Sequence, residues 1–110
     1  MKTTIAAAIA ALSLLGTSLA HAAIDDARGK ELMKKGGCGA CHAVKMKVVG
    51  PSYKDVALKH KDEADAIATL SAKVRAGGKG VYGPVPMPPI GADKISDAEL
   101  HDLVEWILSK

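Results

Sequence analysis

The sequence predicts a small all-α domain that folds around a group other than its own side chains. Apolar residues recur with helical spacing, and no segment alternates with the period of two that marks a strand. Large apolar side chains are scarce, because the chain contains no Phe, one Trp and two Tyr. A domain this short often needs a disulfide, a metal or a cofactor to complete its core.

The first residues predict export. Lys2 gives a positive start, an apolar and alanine-rich run reaches Leu15, and "LAHA" supplies the small residues that a signal peptidase recognises. We interpret residues 1–22 as a cleaved signal peptide and residues 23–110 as one domain, exported to the periplasm of a bacterial source. A retained membrane anchor is the alternative, although the apolar run is short for a membrane span.

The charge of the chain excludes one class of partner. The formal net charge is only +3, and no aromatic residues alternate with the lysines as a base-stacking surface requires. The sequence therefore predicts no nucleic-acid partner.

The first helix is predicted from its charged ends. Asp25 and Asp26 suit a helix N-terminus, and Lys34 and Lys35 precede a Gly-Gly stop. Gly29 lies inside this helix, where glycine costs about 1 kcal/mol relative to Ala. A close approach by another helix would explain it, and simple tolerance is the alternative.

Two further helices are predicted in the middle of the chain. Pro51 is expected to open a helix over Ser52–Lys59, and Asp62 to cap the next one, which ends at Gly77. The buried face of that third helix is predicted to consist of Ile67, Leu70 and Val74.

The last helix has the clearest signals. Ser96 and Glu99 form a capping-box pattern, and Trp106 flanks the apolar stripe that follows. That stripe has i, i+3, i+4, i+7 spacing and consists of Leu100, Leu103, Val104 and Ile107.

The segment "CGACH" carries the chemistry. It contains both cysteines, Cys38 and Cys41, followed at once by His42. A dithiol redox site would accompany a βαβ pattern, a zinc site needs further ligands, and a structural disulfide leaves the histidine unexplained. The Cys-x-x-Cys-His pattern instead predicts covalent attachment of a c-type haem, with the imidazole directed at the iron. The haem would also supply the missing apolar bulk.

The second axial ligand is predicted to be Met87. It lies in "VYGPVPMPPIG", where four prolines restrict the backbone, and it is far enough along the chain to reach the opposite haem face. Met46 follows His42 by four residues, a reach of at most ~14 Å without slack. Met33 is better explained as core, and His60 and His101 as solvated side chains. An incidental methionine in a surface turn is the alternative for Met87.

A haem iron with His and Met on its two faces has no position for a substrate, which favours outer-sphere electron transfer. Two other functions stay open on the sequence. If Met87 is not bound, the chain is a haem enzyme or a gas sensor. If no haem is attached, it is a thiol oxidoreductase.

Three segments of the chain, "KKGGCGACHAVKMKVVGPSYKDVALK", "GVYGPVPMPP" and "EWILSK", resemble the small bacterial class I cytochromes c of the cytochrome c-551 type. The resemblance extends from about Glu31 to Lys110. It implies a monomeric class I cytochrome c fold with its first and last helices crossing. It also implies one haem c attached to Cys38 and Cys41, with His42 and Met87 as axial ligands.

The same resemblance suggests three supporting residues. The Pro51 carbonyl should accept the Nδ1 proton of His42, which fixes the ring. Tyr82 stands where the family usually has a Trp that binds a haem propionate, and Lys73 where it has an Arg near a propionate. Ile90 replaces the usual Asn after "MPP", and "GADKI" suggests a small insertion.

The resemblance also implies partners. The chain is expected to be an electron carrier, not an enzyme, without stable membrane insertion. It would take electrons from a membrane cytochrome complex and pass them to a nitrite reductase, oxidase or peroxidase. A ring of lysines around apolar Val48, Val49 and Val85 could face an acidic partner, and a generally solvated lysine surface is the alternative. The lysines concerned are Lys45, Lys47, Lys54, Lys59, Lys61 and Lys79.

Overall fold

The structure, a computed structural model, describes residues 22–110 and contains four α-helices. They are α1 (Asp26–Lys35), α2 (Tyr53–His60), α3 (Ala66–Ala76) and α4 (Asp97–Leu108), with one turn of 3-10 helix at Cys38–Ala40. No strand occurs in residues 22–110, where β pairing is confined to isolated bridges at His42–Lys47 and Gly78–Met87. The all-α prediction is confirmed.

Local capping determines the ends of α1. The Asp25 carboxylate accepts a hydrogen bond from the Arg28 amide at 2.8 Å, which satisfies one of the free N–H groups of the first turn. After Lys35 the Gly36 amide donates back to the Leu32 carbonyl and closes the last turn. Both predicted ends of this helix are therefore confirmed.

The first and last helices meet at Gly29. A Cβ atom at this position would overlap the indole ring of Trp106 on α4, so the glycine allows the two helices to approach closely. The indole N–H of Trp106 also donates to the Asp26 carboxylate at 2.9 Å. Hydrogen bonds from Lys110 and then from Trp106 hold the pKa of Asp26 below its ordinary value. The close-approach explanation of Gly29 is confirmed.

The middle helices begin later than predicted. Ser52 is not in α2 but caps it, accepting from the Asp55 amide at 3.1 Å. The prediction that Asp62 caps α3 is wrong, because two turns follow α2 and the helix begins at Ala66. Ala66 is the first residue of this segment that is buried in the core, and this packing sets the start of the helix. Gly77 ends α3 as predicted, with φ of +67°.

The core lies around α4, which packs against each of the other three helices. The predicted capping box is present, since Ser96 and Glu99 each bond to the other's backbone amide. The whole predicted stripe of α4 is buried, and Trp106 is buried with it. Leu32, Tyr53, Val56 and Ile95 complete the centre of the core, against which the α3 face of Ile67, Leu70 and Val74 packs.

The predicted signal peptide lies outside the described residues, apart from Ala22. Among residues 22–110, none of the helices combines the length and apolar character that crossing a bilayer requires.

Candidate haem site

A cavity of about 270 Å³ opens between the helices and the irregular segment that follows α3. Its wall is largely apolar, and the buried residues of α4 form part of it. The four residues predicted to hold the haem, Cys38, Cys41, His42 and Met87, all line this cavity. The structure therefore brings together side chains that are up to 49 positions apart in the sequence, counting from Cys38 to Met87.

The 3-10 turn presents the two cysteines. Gly37 has φ of +72°, which turns the chain out of α1, and the His42 amide then donates to the Cys38 carbonyl at 2.9 Å. Both cysteines are of intermediate burial, and they are not bonded to each other. Burial raises the pKa of Cys38, and a hydrogen bond from the Tyr53 hydroxyl acts in the opposite direction. Burial is also the main reason that the pKa of Tyr53 is raised.

The His42 ring is held on three sides. Its Nδ1 lies 2.8 Å from the Pro51 carbonyl oxygen. A carbonyl can only accept, so Nδ1 carries the proton and Nε2 keeps a lone pair for a metal. The ring also stacks on Tyr53, with 5.5 Å between centroids and 24° between planes. Gly50 lies against the third side, where a Cβ atom would come within 2.5 Å of Cε1.

Met87 is fixed through its backbone. Its amide donates to the Gly78 carbonyl at 2.8 Å, and its carbonyl accepts from the Gly78 amide at 3.0 Å. The preceding Gly77 approaches so closely that a Cβ there would be 2.5 Å from the Met87 carbonyl oxygen. Three residues later the Ile90 amide donates to the Val74 carbonyl at 3.0 Å. The proline-rich loop is therefore tied to α3 and to the glycines that follow it, at the methionine itself and three residues beyond it.

The other sulfur and imidazole candidates lie elsewhere. Met33 is buried in the core, as predicted, and Met46 is 66% exposed. His101 is about half exposed. The prediction that His60 is solvated is wrong, since its side chain is only 11% exposed and its Nδ1 lies 2.9 Å from a Glu63 carboxylate oxygen.

Tyr82 explains the burial of His60. The Tyr82 hydroxyl lies 3.5 Å from His60 Nε2, and the Lys59 ammonium lies 4.9 Å from the centre of the phenol ring. Burial raises the pKa of Tyr82. Tyr82 and Lys73 both line the cavity, and the Lys73 ammonium lies against Gly78.

Arg75 bonds to the segment that follows Met87, and the sequence alone does not predict this role. Its guanidinium donates to the Ile90 and Ile95 carbonyls at 3.1 and 2.9 Å and to the Asp97 carboxylate at 2.7 Å. Two of the three acceptors are backbone atoms, which have no signature in a sequence.

These residues fit a c-type haem. Two thiols on one turn can each form a thioether, the His42 Nε2 lone pair is free to bind iron, and a methionine lines the same apolar cavity. The fold and the site together define a small all-α c-type haem protein.

The chain belongs to the cytochrome c family, whose model matches residues 27–110. It is 47% identical to cytochrome c-551 of Pseudomonas aeruginosa over 103 residues, which cover 92% of this chain and 95% of that protein. It is 43% identical to cytochrome c-552 of Nitrosomonas europaea over 109 residues, covering 99% of this chain and 98% of the relative.

Solved structures agree with these matches. The crystal structure of wild-type Nitrosomonas europaea cytochrome c552 superposes with a TM-score of 0.67 at 46% identity, covering 73% of this chain and 96% of that one. The class 1 cytochrome MtoD of Sideroxydans lithotrophicus superposes with the same TM-score at 36% identity, covering 79% and 97%. The class I cytochrome c fold is confirmed.

Membership of this family establishes the cofactor and the general role. The chain carries one covalent c-type haem with its iron, and it is an electron carrier whose partners are redox proteins. Cytochromes c are in general electron-transfer proteins and not enzymes.

Proposed function

We propose that this chain is a periplasmic one-electron carrier in which His42 and Met87 bind the haem iron. Cys38 and Cys41 form the thioether links, and residues 1–22 direct export. The observation that carries the proposal is the common cavity, which all four side chains line. The Cys-x-x-Cys-His pattern specifies attachment, and the imidazole and the thioether are the pair of axial ligands found in electron-carrying haem proteins.

The residues around the iron have separate tasks. When bound, the haem supplies a reversible one-electron couple at its iron. The Pro51 carbonyl accepts a hydrogen bond from Nδ1–H of His42, which fixes the ring and increases the basicity of Nε2. The loop bonds to Gly78 hold Met87 in place. With both His42 and Met87 holding the iron, no position would remain for a substrate, and the haem would exchange electrons with a partner at the open side of the cavity.

The first prediction tests Met87. Met87→Ala should remove the long-wavelength absorption band that iron–thioether ligation gives the oxidised protein. It should also lower the midpoint potential by about 0.1 V or more, because axial ligands set haem potentials over a range of ≈ 0.8 V. Met46→Ala is the matched control, since Met46 is an exposed methionine close to the same site in sequence. Absorption spectra and redox titration of the purified holoproteins measure both effects.

A different outcome would change the function. Wild-type protein that lacks the band and binds carbon monoxide rapidly in the reduced form would have an open iron position. The electron-carrier proposal would then be wrong, and the chain would be a haem enzyme or a gas sensor. Colourless purified protein would leave only the thiol oxidoreductase.

The partner surface is proposed at the rim of the cavity. Val49, Val81 and Val85 line the cavity and are also exposed, as an apolar contact around a haem edge requires. Lys47 and Lys79 line the same opening. We expect this rim to meet an acidic surface of a membrane cytochrome complex as donor. The acceptor would be a nitrite reductase, oxidase or peroxidase, and the carrier itself a monomer.

Ionic strength tests this docking surface. Stopped-flow oxidation by an acidic redox partner should slow by about tenfold between low and high salt, since steering by opposite charges is screened. Lys79→Gln should reduce the low-salt rate more than Lys30→Gln, which removes the same charge from α1. Equal rates at both ionic strengths would contradict the lysine rim.

A further inference from the structure

We infer that Arg75 is a positioning residue for Met87. It joins the end of α3, the segment that follows Met87 and the start of α4 through one guanidinium group. This inference rests on the proposed role of Met87 as an iron ligand. It makes the stability of that ligation depend on a side chain that does not line the cavity.

The contacts of Arg75 define its role. Arg75 lies in the last turn of α3 and is 24% exposed. One Nη donates to the Ile90 carbonyl, and the other donates to both the Ile95 carbonyl and the Asp97 carboxylate. A guanidinium is a rigid planar fork of five donors, so one such group can serve three acceptors with fixed geometry.

The Ile90 contact acts on the methionine loop. Before Met87 could leave the cavity, the chain beyond it would have to move, and Ile90 is only three residues away. Both backbone groups of Ile90 are bonded to α3, the amide to Val74 and the carbonyl to Arg75. The isoleucine side chain has no hydrogen-bonding atom, so the backbone is the polar attachment at this position.

The Ile95 contact acts on the cavity wall. Ile95 is only 1% exposed and lines the cavity. The chain between Ile90 and Ile95 is an exposed turn over residues 91–94. The Ile90 and Ile95 carbonyls, one on each side of this turn, both accept hydrogen bonds from Arg75, so this one side chain fixes both ends of the turn.

The three contacts of Arg75 do not contribute equally to stability. The Asp97 side chain is 93% exposed, and ion pairs at such positions contribute little because water screens them. The two carbonyls lie in partly buried surroundings, where a charged donor forms a stronger hydrogen bond. A lysine at position 75 would keep the charge but could not hold two carbonyls in fixed geometry.

Imidazole binding to the oxidised holoprotein measures how often Met87 is released. An added ligand binds only when the methionine has left the iron, so its apparent affinity is proportional to the population of that open form. Arg75→Lys should bind imidazole about tenfold more tightly than wild type, with earlier loss of the long-wavelength band. Asp97→Asn and Arg28→Lys should stay within about twofold of wild type. Arg28 is the other arginine of the chain, and it pairs with Glu31 on α1.

Two reference variants complete the design. Met87→Ala gives the affinity without a methionine ligand, which is the limit that Arg75 variants can approach. Arg75→Met replaces the fork with an uncharged side chain of similar reach and should lie between Arg75→Lys and this limit.

The outcomes separate this inference from the proposed function. If wild type already binds imidazole as tightly as Met87→Ala, the methionine is not a ligand and both proposals fail. If wild type is protected but Arg75→Lys and Arg75→Met bind as wild type does, the Arg75 inference alone fails. The same holds if they lose thermal stability without a change in imidazole affinity, because the role of Arg75 is then only structural.

Discussion

At the scale of single residues, the site depends on how closely His42 is enclosed. Gly50 and Pro51 are neighbours in sequence, and they act on the same ring from two directions. The proline carbonyl orients the imidazole, and the glycine leaves room for it. This pair explains why the histidine can keep one orientation although neither His42 nor the pair itself lies in a helix.

The next prediction follows from that enclosure. Gly50→Ala should destabilise the holoprotein by about 1–3 kcal/mol, the usual cost of inserting a methyl group into a packed site. The added Cβ would push the ring away from the Pro51 carbonyl. Urea unfolding followed by fluorescence or absorption measures the change.

Gly39→Ala is the control for this substitution, because no protein atom lies within 4 Å of a Cβ at that position. It should change the unfolding free energy by less than about 0.5 kcal/mol, as surface substitutions usually do. Equal losses in both variants would show that the crowding of the His42 ring does not matter.

Whether the role of a single residue can be predicted from the sequence depends on how many positions separate it from its partners. Cys38, Cys41 and His42 are adjacent, so their pattern is visible without a structure. Arg75 was invisible because its acceptors lie 15 to 22 positions away and two of them are carbonyls. His60 was assigned wrongly because its charged neighbours in sequence do not reveal its contact with Tyr82, 22 positions on.

At the scale of helices, the ends that local capping determines were predicted correctly, whereas the boundary that tertiary packing determines was not. Both ends of α1 and the start of α4 were predicted because their caps lie within four residues of the atoms they bond. The start of α3 was missed because Asp62 has the chemistry of a cap but lies in the first of the two turns that precede the helix. Burial of Ala66 decides that boundary, and it depends on the positions of other helices.

The crossing of α1 and α4 could be predicted from the sequence only in part. A glycine inside a predicted helix indicated that something approaches closely, but the sequence alone did not show that the neighbour is Trp106. The choice of neighbour depends on the three-dimensional path of the 77 positions that separate the two residues.

At the scale of the whole molecule, the cavity is the main energetic feature. Without the haem, the largely apolar wall of this cleft of about 270 Å³ would face water, at about 25 cal/mol per Å² of apolar surface left exposed. Domains of this size are stable by only about 5–15 kcal/mol in total. The haem is therefore expected to be part of the core on which folding depends.

The last prediction tests this dependence. Residues 23–110 produced without haem should lose at least about half of the helical circular dichroism signal of the holoprotein at 25 °C, because the apolar wall of the cleft is then exposed to water and the total stability of such a domain is small. Thermal scans should show no cooperative transition. Haem-free protein with a full helical signal and a sharp thermal transition would show that the side chains alone form a stable core, and this would contradict the prediction.

One contact described above concerns how the chain is connected. The Asp26 carboxylate, at the start of α1, binds the ammonium group of Lys110, two residues after the end of α4. The two ends of the fold therefore meet, and a short peptide could join them without disturbing the core. New termini could then be opened in the exposed turns at residues 61–65. In such a circular permutant the helices would be synthesised in a different order. They would still enclose the same cavity.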